Sequence, residues 1–166
     1  MKILAIGGCG SMGRYAMRVA QHYSSIDKII IADIDKEAAG TFARSLNQKV
    51  SAIQLDVNNA SALKKAMEDI DIVVNTCGPY FRFGAPILAT AISSGCNYVD
   101  ICDDWEPTID MMRLDAKAKS AGVSATIGLG ASPGLTNLMA LIAIRELDEV
   151  TTVLSLIHIS EPTRPY

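Results

Sequence analysis

Six times in this chain a short aliphatic run gives way to a stretch of helical periodicity, with only brief connections between. That alternation constrains the fold more than any other feature, because neighbouring parallel strands need a long crossover, usually a helix, to join them. Strands are expected at 2–6, 28–32, 50–55, 71–75, 97–101 and 124–127. The run KIIIA at 28–32 is apolar throughout, as a strand covered on both faces should be. Helices are expected at 11–23, 35–46, from Asn59 or Ser61 to Met67, 84–94, 107–121 and 133–147. In the first helix Met12, Tyr15, Ala16, Val19 and Ala20 share one face, which is expected to bury. Right-handed crossovers then predict an α/β fold: a doubly wound parallel sheet of about six strands with helices on both faces.

Composition fits that architecture. Hydrophobic residues make up 49% of the chain and charged residues 20%, ample for a sheet with two covered faces. A net charge of −3 offers no basic footprint, so no nucleic-acid partner is expected. No apolar run approaches the ~20 residues a membrane span needs. The opening MKILAIGG reads as a strand rather than a signal peptide, which places the expected compartment in the cytoplasm. Cys9, Cys77, Cys96 and Cys102 include no C-x-x-C pair, so free thiols and no metal site are expected.

Gly8-Cys9-Gly10-Ser11-Met12-Gly13 fits G-x-G-x-x-G directly after the first strand, where it opens the first helix. In this Rossmann-like context each glycine has a task. Gly8 permits a tight turn, Gly10 lets the backbone approach a pyrophosphate, and Gly13 allows close helix packing. Unpaired amides at the helix start and the helix dipole favour the phosphate there. Asp33 follows 20 residues after Gly13, at the end of the second strand. A carboxylate there accepts hydrogen bonds from the adenosine ribose of NAD and repels the 2′-phosphate of NADP. Ile34, Asp35 and Lys36 follow, without the arginine usual for NADP, so NAD is the preferred cofactor while Lys36 leaves NADP open. Asp56 and Val57, closing the third strand, are expected beside the adenine.

These segments, together with VVNTCGPY at 73–80, the 84–104 run ending in DICDD and GLGASPGLTNLMA at 128–140, resemble the N-terminal NAD(P)-binding domain of the saccharopine dehydrogenase-like family. The resemblance implies an NAD(P)-dependent oxidoreductase that transfers hydride at a C–N bond of an amino-acid-like small molecule. It places Asn75, Cys77, Gly78 and Pro79 against the nicotinamide ribose. Tyr80 follows in the cleft with substrate contact or loop packing open to it. Asp103 is offered to a substrate ammonium or to water. Ser132, Pro133 and Gly134 open a helix that either binds a substrate carboxylate or hinges into a further domain. No residue is assigned as catalytic acid or base. A non-catalytic NAD(P)-binding redox sensor is the alternative reading.

The resemblance also implies that a substrate domain follows the last helix. LSLIHISEPTR at 154–164 resembles the translation of a transposase adapter used in shotgun-sequencing libraries. Residues 154–166 are therefore expected to be foreign to the protein, 1–149 to form the cofactor domain, and 150–153 to begin an absent domain as a strand. Leu135, Leu138, Met139, Ile142 and Leu147 on the last helix are then left needing cover. A homo-oligomer of the full-length protein is compatible with this arrangement.

Overall fold

The computed structural model describes residues 1–154; the tail from Ser155 onward, on which the adapter reading rests, lies outside the described residues. Six strands form one parallel sheet: β1 (Lys2–Ile6), β2 (Lys28–Asp33), β3 (Val50–Gln54), β4 (Ile72–Asn75), β5 (Asn97–Asp100) and β6 (Ala125–Thr126). Their order is β3-β2-β1-β4-β5-β6, so the chain builds outward to one side of β1 and then, from β4, to the other. Seven α-helices connect them among the described residues: α1 (Ser11–Ala20), α2 (Lys36–Arg44), α3 (Ala60–Ala66), α4 (Tyr80–Ser93), α5 (Trp105–Met112), α6 (Asp115–Ala121) and α7 (Thr136–Arg145). Open α/β sheets bind ligands at the carboxyl edge beside such a switch point.

The sequence sets both faces. On one, Ile3, Ala5, Ile29 and Ile31 pack with Met17 of α1 and with Ala39, Phe42 and Ala43 of α2. On the other, Leu4, Ile6, Val73 and Tyr98 pack with Leu63 of α3, Ile87, Leu88 and Ala91 of α4, and Met111 of α5. Two helix starts are fixed by local side chains: Asp35 accepts from the Ala38 amide at 2.9 Å and Asn59 from the Ala62 amide at 3.0 Å. Each such cap contributes about 1 kcal/mol.

Several expectations need correction. The buried side of α1 is Gly13 and Met17, flanked by half-buried Ala16 and Ala20, whereas Met12, Tyr15 and Val19 are exposed. The α1–α2 pair covers β1 to β3, but among the described residues no helix covers β4 and β5 on that face, where Ile72, Val74 and Val99 remain half-buried. The apolar arc of α1 is thus only half used. Helix α4 begins at Tyr80 rather than Gly84, because Pro79 caps it in an extended conformation. The expected 107–121 helix is two helices meeting at Arg113 and Leu114, with no glycine or proline to mark the break. Residues 150–153 form no strand. No residue of α7 is buried, and Leu135, Leu138, Met139, Ile142 and Leu147 all face solvent, as the sequence led us to expect.

Candidate functional site

At the carboxyl edge the turns after β1, β2, β3 and β4 enclose a cleft of about 360 Å³. Gly10, Asp33, Asp56, Val57, Cys77 and Gly78 line it, as do Gly7, Ile34, Asn58, Thr76 and Phe83. The glycine turn forms its floor. The left-handed residue is Gly7, at φ +69°, not Gly8. A Cβ on Gly7 would stand 2.9 Å from the Thr76 and Cys77 backbone, so the β1 and β4 turns lie in contact. Gly8 is buried against Ala5, where a Cβ would meet the Ala5 carbonyl at 2.8 Å. Gly13 packs on the turn itself: a Cβ there would sit 2.6 Å from the Gly7 carbonyl oxygen and 2.7 Å from Gly8 Cα.

Gly10 caps α1 without any side-chain hydrogen bond. The first-turn amides, beginning at Ser11 and Met12, are therefore free of a capping acceptor and are available to an anion. Arg14 fixes the turn from outside, its Nε donating to the Cys9 carbonyl at 2.5 Å while its guanidinium lies 5.1 Å from the Phe42 ring.

Asp33 accepts the Asp35 amide at 3.3 Å. Its charge reaches two neighbours. The Cys9 thiol is pushed up to about 11 by burial, by its hydrogen bond to Asp33 and by that charge; burial and Asp33 also raise Cys77. Both thiols stay protonated at neutral pH, which removes them as nucleophiles. Asp56 accepts the Asn58 amide at 2.9 Å and the Asn58 side-chain amide at 2.8 Å, and these bonds hold its carboxyl below the usual range. Arg82 donates to Asn58 Oδ1 at 3.1 Å, closing this end of the cleft.

Beneath the cleft lies a buried polar network that the sequence reading did not foresee. Asp100 is fully buried and accepts three hydrogen bonds: from Tyr98 Oη at 2.9 Å, the Cys102 amide at 3.1 Å and the Gly128 amide at 2.8 Å. Asn75 donates to Tyr98 Oη at 2.9 Å and accepts the Cys77 amide at 3.0 Å. Asn75 therefore shapes the Cys77-Gly78 turn from below rather than presenting its side chain to a ribose. Of the two roles left open to Tyr80, packing is the one observed: it is buried, and its hydroxyl donates to the Asn75 carbonyl at 2.9 Å. The signal was in the register. Val73 pairs with Tyr98 and Asn75 with Asp100, so the polar pair shares the face of two core residues.

The remaining candidates are not among the residues lining the cleft. Asp103 is exposed at the carboxyl edge, and Pro79 is exposed at the start of α4. Ser132 holds φ −137° and ψ 123°, outside helical geometry, so regular helix begins at Thr136 rather than Pro133. The Leu135 amide is already used by the Gly130 carbonyl at 2.9 Å, which leaves fewer donors for a carboxylate than the sequence implied. Gly134 packs on the preceding loop, where a Cβ would meet the Gly128 carbonyl at 2.9 Å. Among the described residues no helix is long and apolar enough to cross a membrane.

Burial sets an alkaline limit on the fold. Tyr80 and Tyr98 are raised above 10.0, first by burial and then by the Asp100 charge, and the Cys9 thiol is raised from 9.0. Unfolded, these groups ionise near their ordinary values; folded, they retain their protons. Stability from them is full below about pH 9 and is lost as pH rises further. The urea midpoint is expected to fall between about pH 8 and pH 10.5. A midpoint unchanged over that window would contradict the burial of these groups.

The glycine turn, the Asp33 carboxylate and the cleft meet at the switch point of the sheet, and the saccharopine dehydrogenase NADP binding domain model matches residues 3–126. The chain belongs to that family. It is an NAD(P)-binding domain of saccharopine dehydrogenase-like oxidoreductases. A mouse saccharopine dehydrogenase-like oxidoreductase is 30% identical over 88 residues, covering 53% of this chain and 20% of the relative. A trans-acting enoyl reductase of Mycobacterium tuberculosis (strain H37Rv) is 23% identical over 145 residues, covering 84% of this chain and 35% of the relative. Apo saccharopine dehydrogenase (L-Glu forming) from Saccharomyces cerevisiae superposes with a TM-score of 0.76 at 24% identity, over 87% of this chain and 31% of that one. The chain thus spans a fifth to a third of the length of these proteins.

Proposed function

We propose that this chain is the cofactor half of an NAD-preferring oxidoreductase acting at a C–N bond of a small amino-acid-like substrate. The observation that carries the cofactor preference is Asp33 in the cleft wall, while Arg82, the arginine at the end of that cleft, is bonded to Asn58 rather than beside Asp33. A 2′-phosphate would bring further negative charge against this carboxylate, whereas ribose hydroxyls donate to it. The family description names NADP; Asp33 argues the other way for this chain. The C–N chemistry rests on the saccharopine dehydrogenases among its relatives. In that reading the Ser11 and Met12 amides hold the pyrophosphate, Asp33 holds the adenosine ribose, and Val57, Ile34 and Phe83 flank the adenine. The Cys77-Gly78-Pro79 turn approaches the nicotinamide ribose.

The bound nicotinamide supplies the hydride chemistry; this chain orients it and excludes water from one side only. Asp103, exposed at the same edge, offers a carboxylate to a substrate ammonium. The residues covering the other side of the nicotinamide belong to a further domain, so this chain alone binds cofactor and turns over nothing. Measured turnover of any amine or imine by the 166-residue chain would contradict that division.

Cofactor titration tests the preference. NAD is expected to bind more tightly than NADP. Asp33→Ser is expected to move the ratio toward NADP by roughly tenfold, about 1.4 kcal/mol. NADP binding more tightly to the native chain would overturn the NAD reading while leaving the site in place. The bond type is tested in the full-length gene product. Oxidation of a secondary amine supports it, and reduction of an enoyl substrate without amine activity would instead align the protein with the mycobacterial relative.

A further inference from the structure

Asn75, the last residue of β4, is fully buried and uses both ends of its side-chain amide. Its Oδ1 accepts the Cys77 amide at 3.0 Å and its Nδ2 donates to Tyr98 Oη at 2.9 Å. The direction of these bonds is fixed from further down. Tyr98 has one hydroxyl proton and gives it to Asp100 Oδ2 at 2.9 Å, so toward Asn75 it can only accept. Asp100 holds its place without Tyr98, because its Oδ1 takes the backbone amides of Cys102 at 3.1 Å and Gly128 at 2.8 Å. A one-way chain of hydrogen bonds therefore runs from an anchored carboxylate, through Tyr98 and Asn75, to the turn after β4. Asn75 takes up the Cys77 amide from below. The Gly78 amide, one peptide on, has no acceptor among the described residues, and Gly78 lines the cleft.

We propose that Asn75 and Tyr98 are positioning residues for the nicotinamide half of the cofactor: anchored by Asp100, they set the Cys77-Gly78 turn although neither lines the cleft. The proposal rests on the reading of that cleft as a dinucleotide site with this turn at the nicotinamide ribose. The adenosine half is assigned to other elements, the glycine turn, Asp33 and the turn after β3. None of these shares a hydrogen bond with the side chains of Asn75, Tyr98 or Asp100. The effect of the network therefore falls on one half of the ligand, whereas a packing role alone would weaken both halves together. Asn75→Ala frees the Cys77 amide. Tyr98→Phe leaves Asn75 in place but removes the acceptor of its Nδ2, so the amide is no longer held in line with the turn.

Calorimetric titration of the full 166-residue chain with NAD and with ADP, which lacks the nicotinamide ribose, separates the two halves. Asn75→Ala is expected to lose roughly tenfold in NAD affinity and Tyr98→Phe about fivefold, while ADP affinity stays within about twofold. Tyr98 acts through Asn75, so the double variant is expected to bind NAD no more weakly than Asn75→Ala alone. Tyr98→Phe keeps both backbone donors of Asp100 and carries the test should Asn75→Ala fail to fold. Ile92→Val, a buried change on α4 outside the network, is the stability control and should alter neither affinity. Equal losses for NAD and ADP would overturn the proposal and leave the network a structural one. So would unchanged NAD affinity, or additive losses in the double variant. A native chain that binds neither ligand would overturn it together with the dinucleotide reading, which the other outcomes leave intact.

Discussion

Replacing Gly13 by valine is expected to cost most of the chain's affinity for a dinucleotide. A Cβ at this position would stand 2.6 Å from the Gly7 carbonyl oxygen and 2.8 Å from the Gly8 carbonyl carbon. Both are backbone atoms of the turn that the helix start must meet, so no side chain can rotate away to make room. The turn or the helix has to move by several tenths of an ångström or more. That displacement misaligns the first-turn amides that we assign to the pyrophosphate. A loss of at least ~100-fold in affinity, about 2.7 kcal/mol, is expected by calorimetric titration with NAD. Some loss of melting temperature should accompany it, because the same contact packs α1 onto β1. Gly78→Ala is the contrasting variant: nothing lies within 4 Å of its Cβ position, so the fold should be unaffected. A Gly13→Val protein that still bound NAD with native affinity would show that this turn does not hold the phosphates.

The largest expected loss of stability comes from Asp100→Ala. The carboxylate is fully buried, and the Tyr98 hydroxyl and the amides of Cys102 and Gly128 all donate to it. Truncation leaves three buried donors without an acceptor. Each unsatisfied group costs about 1–3 kcal/mol, and losing one member of a buried charged network typically costs about 3–5 kcal/mol in total. A domain has about 5–15 kcal/mol to lose, so roughly a third or more of its stability should go. Tyr98→Phe should cost less, about 1–2 kcal/mol, because Asp100 keeps its two backbone donors. Urea denaturation of the two variants checks the ranking. An Asp100→Ala variant within about 1 kcal/mol of the native chain would mean that the network is not holding β4, β5 and the loop after β6 together.

Why this network escaped the sequence reading is instructive. Strands β1 to β5 are legible because aliphatic runs bounded by turn residues have few alternatives in a chain this apolar. The glycine motif is legible because it follows a strand and opens a helix. Tyr98 and Asp100, by contrast, sit in a four-residue strand that contains more polar than aliphatic side chains. Their burial follows only from pairing, once Val73 and Asn75 on β4 are set beside them. The role of Tyr80 was left open between packing and substrate contact for a related reason. Pro79 was read as part of a loop, whereas it caps α4 and carries Tyr80 into the first turn. On α1, periodicity gave an apolar arc wider than the fold fills. Nothing local says that Gly13, Ala16 and Met17 win the buried side over Met12, Tyr15 and Val19, because that depends on what covers the neighbouring strands. The break between α5 and α6 has no sequence marker at all.

Among the cleft residues the legible ones were those fixed by position: Gly10 in the glycine turn, Asp33 at the end of β2, Asp56 and Val57 after β3, and Cys77 and Gly78 after β4. Gly7, Ile34, Asn58 and Phe83 were not, since apolar and amide side chains in turns carry no signature of the ligand they face.

Direct titration of the 166-residue chain with NAD, by calorimetry, is the measurement that tests the central claim most closely. One saturable site per chain, lost in Gly13→Val and shifted toward NADP in Asp33→Ser, is the predicted result. No saturable binding of either NAD or NADP by a chain that melts cooperatively would contradict the assignment of the switch-point cleft as a dinucleotide site.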